Sequence, residues 1–238
     1  AAFMSVGVLM TLAISEPESE LPAPAGLRES LVAPFNEYYL RRGASGLMLV
    51  LCFMFLYKIG DNMATALSVP FYLDMGFTKT QIGLVAKHAA LWPSIVGGLL
   101  GGLIMVRIGI NRALWLFGVV QVVSILGFAV LASKGPVLWL LAAVIGFEYL
   151  GVGMGTAAFT AFIARETSRT FAATQFALFT ALAAVPRTLA NASTGIIVEQ
   201  IGWLDFFLLC AVLAIPGMLL LIWVAPWSGS TGTPVESR

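Results

Sequence analysis

Long apolar runs separated by short polar segments dominate the pattern of this chain. Six of the runs are long enough for a membrane helix, which needs about 20 apolar residues to cross the hydrocarbon core. Several exceed that length, so we expect helices that are tilted or extend beyond the bilayer. The predicted spans are 45–73, 78–107, 112–132, 136–164, 171–199 and 203–225. The pattern therefore predicts an all-α fold, a polytopic membrane helix bundle over residues 45–225.

Two segments precede the predicted bundle and one follows it. Residues 1–14 are apolar but too short to cross a bilayer, which favours the end of a truncated membrane helix and a C-terminal piece of a longer protein. Residues 15–44 predict a cytoplasmic linker in which LRESLVAPFNEYYLRRG forms an amphipathic surface helix, with Pro34 as a candidate kink. A solvated loop is the alternative there. Residues 226–238 predict a cytoplasmic tail.

Basic residues gather on one side of the predicted bundle. The positive-inside rule assigns the side richer in Arg and Lys to the cytoplasm. That side holds the linker, the 107–112 turn, the 165–170 loop and the C-terminal tail, whereas Lys79 and Lys134 lie on the other. The residues of the richer side are Arg28, Arg41, Arg42, Arg107, Arg112, Arg165, Arg169 and Arg238. We therefore expect a multi-pass protein with a cytoplasmic C-terminus.

The chain also contains an internal repeat. GLIMVRIG at 102–109 matches GIIVEQIG at 195–202, and each copy closes a long span before a tight turn. Span 2 then corresponds to span 5, and the six helices form two triplets. The first copy ends among cytoplasmic Arg residues and the second ends beside Glu199 and Asp205, so the triplets have opposite orientation. Two inverted three-helix repeats are typical of one half of a major-facilitator transporter; chance similarity between Gly/Ile-rich stretches is the alternative.

Composition excludes several classes of protein. Hydrophobic residues make up 59% of the chain and charged residues 11%, whereas a soluble domain is about 25% charged. Soluble, disordered and nucleic-acid-binding proteins do not fit these values, and a net charge of +1 indicates no polyelectrolyte partner. Cys52 and Cys210 lie in apolar spans without metal-site spacing, so we expect buried thiols. The partner that composition implies is the lipid bilayer.

Five charged residues interrupt the apolar spans, namely Lys58, Asp61, Lys87, Glu148 and Arg187. A charge near the bilayer centre costs about 3 kcal/mol on translocon scales, and such residues usually mark substrate or ion pathways. We therefore predict a transporter rather than an anchor. The sequence shows no nucleophile–base arrangement, metal-ligand cluster or cofactor motif. We accordingly expect no enzyme activity, no catalytic residue, no metal and no cofactor.

The first span places Lys58 and Asp61 on one helix face, three residues apart. They are expected to form an ion pair, which lowers the cost of burying each charge. Asn62 continues the polar character of the helix. We predict that Lys58 and Asn62 bind substrate and that Asp61 is a candidate proton site; a purely structural pair is the alternative.

The second and fifth spans supply the other cations. Lys87 has no acid within one helical turn and needs a partner on another helix, an anionic ligand or water, while the neighbouring His88 is expected to be a packing residue or a proton relay. Arg187 shares its helix with Gln175, and an Arg can bind a carboxylate bidentately. We predict that Lys87, Arg187 and Gln175 bind an acidic substrate; structural ion pairs with Asp61 or Glu148 are the alternative.

Glu148 is the stronger candidate for proton coupling, because no cation lies within a helical turn of it. A permanent counter-ion to Lys87 or Arg187 is its alternative role. The glycines that follow it do not form a phosphate-binding loop, since no strand precedes them. We expect them to let helices approach closely. The same holds for a second group, and the two groups are Gly151, Gly153 and Gly155, and Gly97, Gly98, Gly101 and Gly102.

Several segments together carry a family resemblance. They are YKIGD (57–61), GLVAKH (83–88), FE (147–148), GMGTAAF (153–159) and AATQFALFTAL (172–182). These segments resemble the AmpG family of bacterial inner-membrane muropeptide permeases, in the peptide/acetyl-coenzyme A branch of the major-facilitator superfamily. The linker also matches the central cytoplasmic loop of that family.

The resemblance implies proton-linked import of anhydro-muropeptides for cell-wall recycling and, in some bacteria, β-lactamase induction. The peptide carboxylates of that substrate fit the three membrane cations. The expected partners are protons, the muropeptide and a missing N-terminal six-helix half or partner chain. A carrier for acetyl-coenzyme A or another anionic solute is an alternative. A membrane signalling or scaffold protein without a transport cycle is another.

Overall fold

The structure, a computed structural model, describes the backbone of residues 27–168 and 170–228, and the side chains of all of these except residues 27–31, 186 and 189–191. The predicted helix end at 1–14, the first part of the linker and most of the tail lie outside the described residues. Within the described part, the chain is helical and contains no strand. The helices are α1 (Leu27–Tyr57), α2 (Ile59–Ala66), α3 (Ser68–Asp74), α4 (Lys79–Ile108), α5 (Ile110–Lys134), α6 (Leu138–Glu166) and α7 (Ala172–Val224).

The all-α membrane bundle that the sequence predicts is confirmed. Five of the described helical stretches are long and apolar enough to cross a bilayer: Val32–Asp74, α4, α5, α6 and Ala192–Val224. The fifth predicted span, 171–199, is helical from residue 172 onward, and its apolar part Ala172–Val185 is shorter. The first span is divided into α1, α2 and α3 by breaks at Lys58 and Leu67.

Two corners made of a single glycine reproduce the internal repeat. Gly109 joins α4 to α5 with φ 81° and ψ 161°, and Gly202 divides α7 with φ 77° and ψ 170°. Residues with a side chain rarely adopt a positive φ of this kind, so glycine is required at both corners. Both glycines end the repeated octapeptides, and the same corner therefore recurs at equivalent points of the two triplets.

The two corners lie at opposite ends of the bundle. Next to Gly109, the Asn111 side-chain amide donates to the Pro226 carbonyl at 3.1 Å. Next to Gly202, Trp203 Nε1 donates to Asp74 Oδ2 at 3.1 Å, at the other end of the 30-residue α4. A helix of that length spans about 45 Å. The triplets are therefore inverted relative to each other, as the charge pattern predicts.

Glycines bring α4 and α6 into close contact. The position of a Cβ on Gly97 falls against the backbone of Leu150, and that of a Cβ on Gly101 lies 2.8 Å from Met154 Cα. Gly153 packs in return against Ser94 and the backbone of α4. Close approach through small residues, expected from the sequence, is confirmed at these three glycines. Gly98 and Gly102 are different, since a Cβ on either would meet nothing within 4 Å.

The linker helix packs onto one end of the bundle. Residues 27–42 form the first part of α1, which Gly43 separates from the membrane part with φ 72°. Tyr38 is fully buried and its ring meets Phe179 edge-on at 5.2 Å. The neighbouring Tyr39 and Leu40 are exposed. One face of this helix is thus docked against the protein and the other is free.

Candidate functional site

The polar centre of the bundle is a pair of carboxyl groups on different helices. Asp61 on α2 is 6% exposed, and Glu148 on α6 is fully buried. Their side chains lie close enough to interact with each other. The structure thus brings together two of the charged residues that the sequence singles out for proton coupling.

The pair sits between two apolar clusters. One cluster contains Phe71, Phe128 and Phe207, whose rings lie 4.8–6.2 Å apart. The other contains Phe53 and Phe162, whose ring centroids are 5.0 Å apart. Because both carboxyl groups are buried, their charges interact where little water screens them.

Lys58 balances one of the two charges. Its Nζ lies 3.0 Å from Asp61 Oδ2, and the side chains are only 12% and 8% exposed. The ion pair predicted from the three-residue spacing is therefore present. Lys58 also occupies the break between α1 and α2, where the backbone has φ −103° and ψ −1°.

Glu148 has no such partner. Neither carboxylate oxygen accepts a hydrogen bond from any residue that the structure describes, and the same holds for Asp61 Oδ1. Glu148 lies beside the side chains of Asp61 and Ser124. The Ser124 hydroxyl donates to the Gln121 carbonyl at 2.8 Å instead. Within the described residues, Glu148 therefore forms no ion pair with Lys87 or Arg187, which was the alternative role for it.

Gln121 on α5 is a site residue that the sequence reasoning missed. It is 4% exposed, and its Nε2 has no hydrogen-bond partner among the described residues. It lines a small cavity together with Asp61, and the other lining residues are Tyr57, Gly118, Val122, Ile125, Ala214 and Met218. The signal was a lone amide in the apolar run GVVQVVS.

Other titratable groups surround the pair from the neighbouring helices. Arg187, on α7, interacts electrostatically with Asp61 and Tyr149. Tyr72, on α3, interacts with Tyr149 and Glu148. Arg187 is exposed, and within the described part of the chain no acid lies within ion-pair distance of it.

The remaining predicted residues occupy different places. Asn62 is half-buried next to Asp61. Lys87 and His88 are exposed on α4 and make no hydrogen bond or ion pair with the described residues, so the structure does not bring them into the carboxyl cluster. They lie on an open face of the bundle.

Gln175 belongs to a separate network at the end of the bundle that carries the linker helix. Its Nε2 donates to the Pro34 carbonyl at 2.9 Å and to Glu37 Oε2 at 2.6 Å, and its Oε1 accepts from the Ser168 N–H. The structure therefore does not bring Gln175 to the other predicted substrate residues. The spacing in α7 gave no sign of this contact, which crosses 141 residues of chain.

Glu166 is the centre of that network. It is 2% exposed and accepts a hydrogen bond from the Tyr38 hydroxyl at 2.8 Å. Arg42 Nη2 lies 3.1 Å from the same carboxylate, and Arg41 Nη2 donates to the Glu166 carbonyl at 2.6 Å. These contacts attach the linker helix to the end of α6.

Comparison with known proteins finds relatives that are named as transporters. No protein-family model matches it. It is 37% identical over 223 residues to the "Anhydromuropeptide permease" of Escherichia coli, covering 93% of this chain and 45% of that protein. It is 46% identical over 235 residues to an "Uncharacterized protein" of Haemophilus influenzae, covering 95% and 55%. A "Putative transporter AmpG 4" of Rickettsia conorii is 30% identical over 195 residues, covering 82% and 46%. The chain spans about half the length of the curated relatives it matches.

Proposed function

We propose that this chain forms the C-terminal half of a proton-coupled importer of anhydromuropeptides. The importer lies in the bacterial inner membrane. The chain is a homologue of the AmpG transporters and matches about half of their length. The observation that carries the proposal is the identity of 37% to the Escherichia coli "Anhydromuropeptide permease" along 93% of this chain. The bundle then acts as one half of a major-facilitator carrier, and the other half is supplied by the rest of the protein or by a partner chain. The function is transport rather than catalysis.

The buried charges support transport over a purely structural role. Lys58, Asp61 and Glu148 meet in the membrane part of the bundle, at a free-energy cost that an anchor or scaffold would avoid. A carrier needs such groups, because a proton and a charged solute must both leave water on their way across.

Glu148 is assigned to proton uptake, with Asp61 as its partner. Lys58 already balances Asp61, so ionising Glu148 would place a second negative charge beside the first where little water screens it. A proton on Glu148 removes that repulsion. When the site opens to water, the carboxylate is solvated and the proton can leave. Loading and release therefore depend on whether the site is wet or dry, as coupling requires.

The cations that remain without acidic partners are assigned to the substrate. Lys87 and Arg187 are exposed on α4 and α7 and are free to bind peptide carboxylates, with Lys58 and Asn62 completing the polar path. Gln175 is left out of this set, because its side chain holds the linker helix. The end of the bundle that carries Arg41, Arg42 and Arg165 is proposed to face the cytoplasm, together with the linker and the C-terminus.

The test is a chimera in which residues 27–228 replace the matching half of the Escherichia coli permease. Cells that lack their own permease and express the chimera should take up a labelled anhydromuropeptide, and an uncoupler that collapses the proton gradient should abolish accumulation. Cells that express the unaltered permease are the positive control, and cells that express no permease are the negative control.

Three results would contradict the proposal or one part of it. A chimera that reaches the membrane in normal amount but takes up no muropeptide would remove the substrate assignment. Uptake of acetyl-coenzyme A in place of the muropeptide would move the chain to the alternative carrier class. Accumulation that survives the uncoupler would remove proton coupling and leave the transport of muropeptide standing.

A further inference from the structure

Gln121 is a polar residue in an otherwise apolar part of the bundle. It lies near the middle of α5, whose charged residues Arg112 and Lys134 are at the two ends. Its amide nitrogen is buried and receives no partner from the described residues. Burying an unpaired amide costs about 1–3 kcal/mol, so an amide at this depth indicates a contact with something outside the polypeptide.

The cavity beside Gln121 suggests what that contact is. Its volume is about 10 Å³. Three polar side chains line it, those of Tyr57, Asp61 and Gln121. About this much space holds one water molecule, which needs two or more polar partners. Asp61 Oδ1 and Gln121 Nε2, both buried and unpaired within the described part of the chain, are a matching acceptor and donor.

Gly155 on α6 makes the placement of the amide possible. A Cβ at this position would lie 2.6 Å from Gln121 Nε2 and 2.8 Å from its Cδ. Any side chain there would push the amide away from its present position. Gly155 thus differs from Gly153, which faces α4 and serves the helix crossing.

We propose that Gln121 is a positioning residue of the carboxyl site, whose amide holds one water against the Asp61 carboxylate and so determines where the proton of the Asp61–Glu148 pair resides. The water donates one hydrogen bond to Asp61 Oδ1 and accepts one from the amide. It thereby favours a charged Asp61 and leaves Glu148 as the member of the pair that takes the proton. The consequence for transport rests on the proposed function.

The test measures protonation on purified protein and does not require transport. A hydrophobic carbodiimide modifies carboxyl groups that carry a proton, and mass spectrometry locates the modification on Asp61 or Glu148. The chimera described above is purified and labelled over a range of pH. The groups that face the pair, Lys58, Tyr57, Tyr72, Tyr149 and Arg187, are unchanged in every variant.

Gln121→Leu removes the donor, so the pair should stay protonated to higher pH. We expect the labelling midpoint to rise by about 1 pH unit, which is the size of a hydrogen bond to a charged group. Gly155→Ala keeps Gln121 but displaces its amide, and should raise the midpoint in the same direction. Gly146→Ala is the matched control on the same helix, because its Cβ would meet nothing nearer than 3.8 Å.

Unchanged midpoints in both Gln121→Leu and Gly155→Ala would overturn the proposal. So would the absence of labelling at both carboxyls in the unsubstituted protein at every pH. If Gln121→Leu does not fold, Gly155→Ala alone decides, since it changes only the space around a flexible side-chain end. A shifted midpoint in a protein that transports no muropeptide would leave this assignment standing and reject the proposed substrate.

Discussion

At the scale of single residues, the two carboxyl groups of the site differ in the partners they have. Asp61 has Lys58 at 3.0 Å, whereas Glu148 has an acid beside it and no cation in contact. An ion pair stabilises the charged form of its carboxylate, and a neighbouring negative charge destabilises it. For the proposed proton coupling, we therefore expect Glu148 rather than Asp61 to carry the proton.

Glu148→Gln should separate coupling from binding. The amide has nearly the shape of a protonated carboxyl but cannot release a proton. In the chimera we expect gradient-independent exchange of labelled substrate to be kept and gradient-driven accumulation to fall to the level seen with an uncoupler. Both are measured in vesicles with and without an imposed pH gradient.

Asp61→Asn is the comparison variant for this prediction. It leaves the Lys58 ammonium buried without its counter-charge, which typically destabilises a protein by about 3–5 kcal/mol. We expect less folded protein in the membrane rather than a clean loss of coupling. Accumulation by Glu148→Gln in proportion to the gradient would transfer the coupling role to Asp61.

The residue scale also marks what sequence could and could not predict. The Lys58–Asp61 pair follows from a spacing of three residues on one helix. The contact between Asp61 and Glu148 depends on how α2 and α6 are rotated, and no local pattern contains that information. Gln121 was missed and the contacts of Gln175 with the linker helix were not foreseen for the same reason, since a lone amide in an apolar run does not reveal which neighbour it faces.

At the scale of helices, the crossing of α4 and α6 depends on glycine at particular positions. Gly97→Ala places a methyl group against the Leu150 backbone, which cannot move aside without shifting a helix. We expect a loss of about 1–3 kcal/mol in stability. The measurement is thermal unfolding of the purified protein in detergent, read as loss of the folded fraction.

Gly102→Ala is the matched control on the same helix, because a Cβ there has open space around it. Since alanine favours a helix over glycine by about 1 kcal/mol, this variant should unfold at the same temperature or slightly higher. Equal losses in Gly97→Ala and Gly102→Ala would mean that close packing does not explain the glycines of α4.

The linker helix gives a second prediction at this scale. Glu166→Ala removes the acceptor of Tyr38 and the partner of Arg42, and so releases residues 27–42 from the end of α6. Leaving the buried Tyr38 hydroxyl without an acceptor alone costs about 1–3 kcal/mol of stability. Local opening should rise accordingly, and trypsin should cut at Arg41 or Arg42 roughly tenfold faster. The initial cleavage rate measures it.

Glu199→Ala, a change of an exposed acid on α7, should leave that cleavage rate as it is in the unsubstituted protein. A linker that is cut at the same rate in both variants would show that Glu166 does not hold it. The helix itself could be predicted from apolar spacing in LRESLVAPFNEYYLRRG. Its docking could not, because the partners Tyr38 and Glu166 are separated by 128 residues.

At the scale of the molecule, the helices differ in how far the bundle covers them. Only 11% of the apolar window of α4 is buried, against 50% for α5. Lys87 and His88 lie on the open side of α4. A bare ammonium facing lipid would cost several kcal/mol, so we expect this face to line the path between the two halves of the carrier.

Lys87→Ala should therefore weaken transport without affecting insertion. A hydrogen bond to a charged group contributes about 1.5–3 kcal/mol, which corresponds to a tenfold or greater rise in KM for an anionic muropeptide. Uptake by the chimera measures it. Lys79→Ala is the control, since Lys79 is also an exposed lysine but is the first residue of α4. Equal effects would mean that position along α4 does not matter.

The presence of long membrane helices was predictable, because apolar length alone distinguishes a membrane span. The repeat was predictable as well, since two similar octapeptides end at the two corners, and the resemblance to the AmpG family is confirmed by the relatives. Three-dimensional contacts between helices were not predictable. The same apolar residues can face lipid or protein, and the sequence does not distinguish the two.

The single-glycine corners at 109 and 202 also limit how this protein can vary in length. Each helix begins on the residue after its corner, so the chain has no slack there. One inserted residue would turn the following helix by about 100° about its axis and present lipid-facing side chains to the core. Insertions, including epitope tags, should therefore be tolerated at 167–171, where several residues connect α6 and α7. They should not be tolerated at the corners, and natural differences in length should follow the same rule.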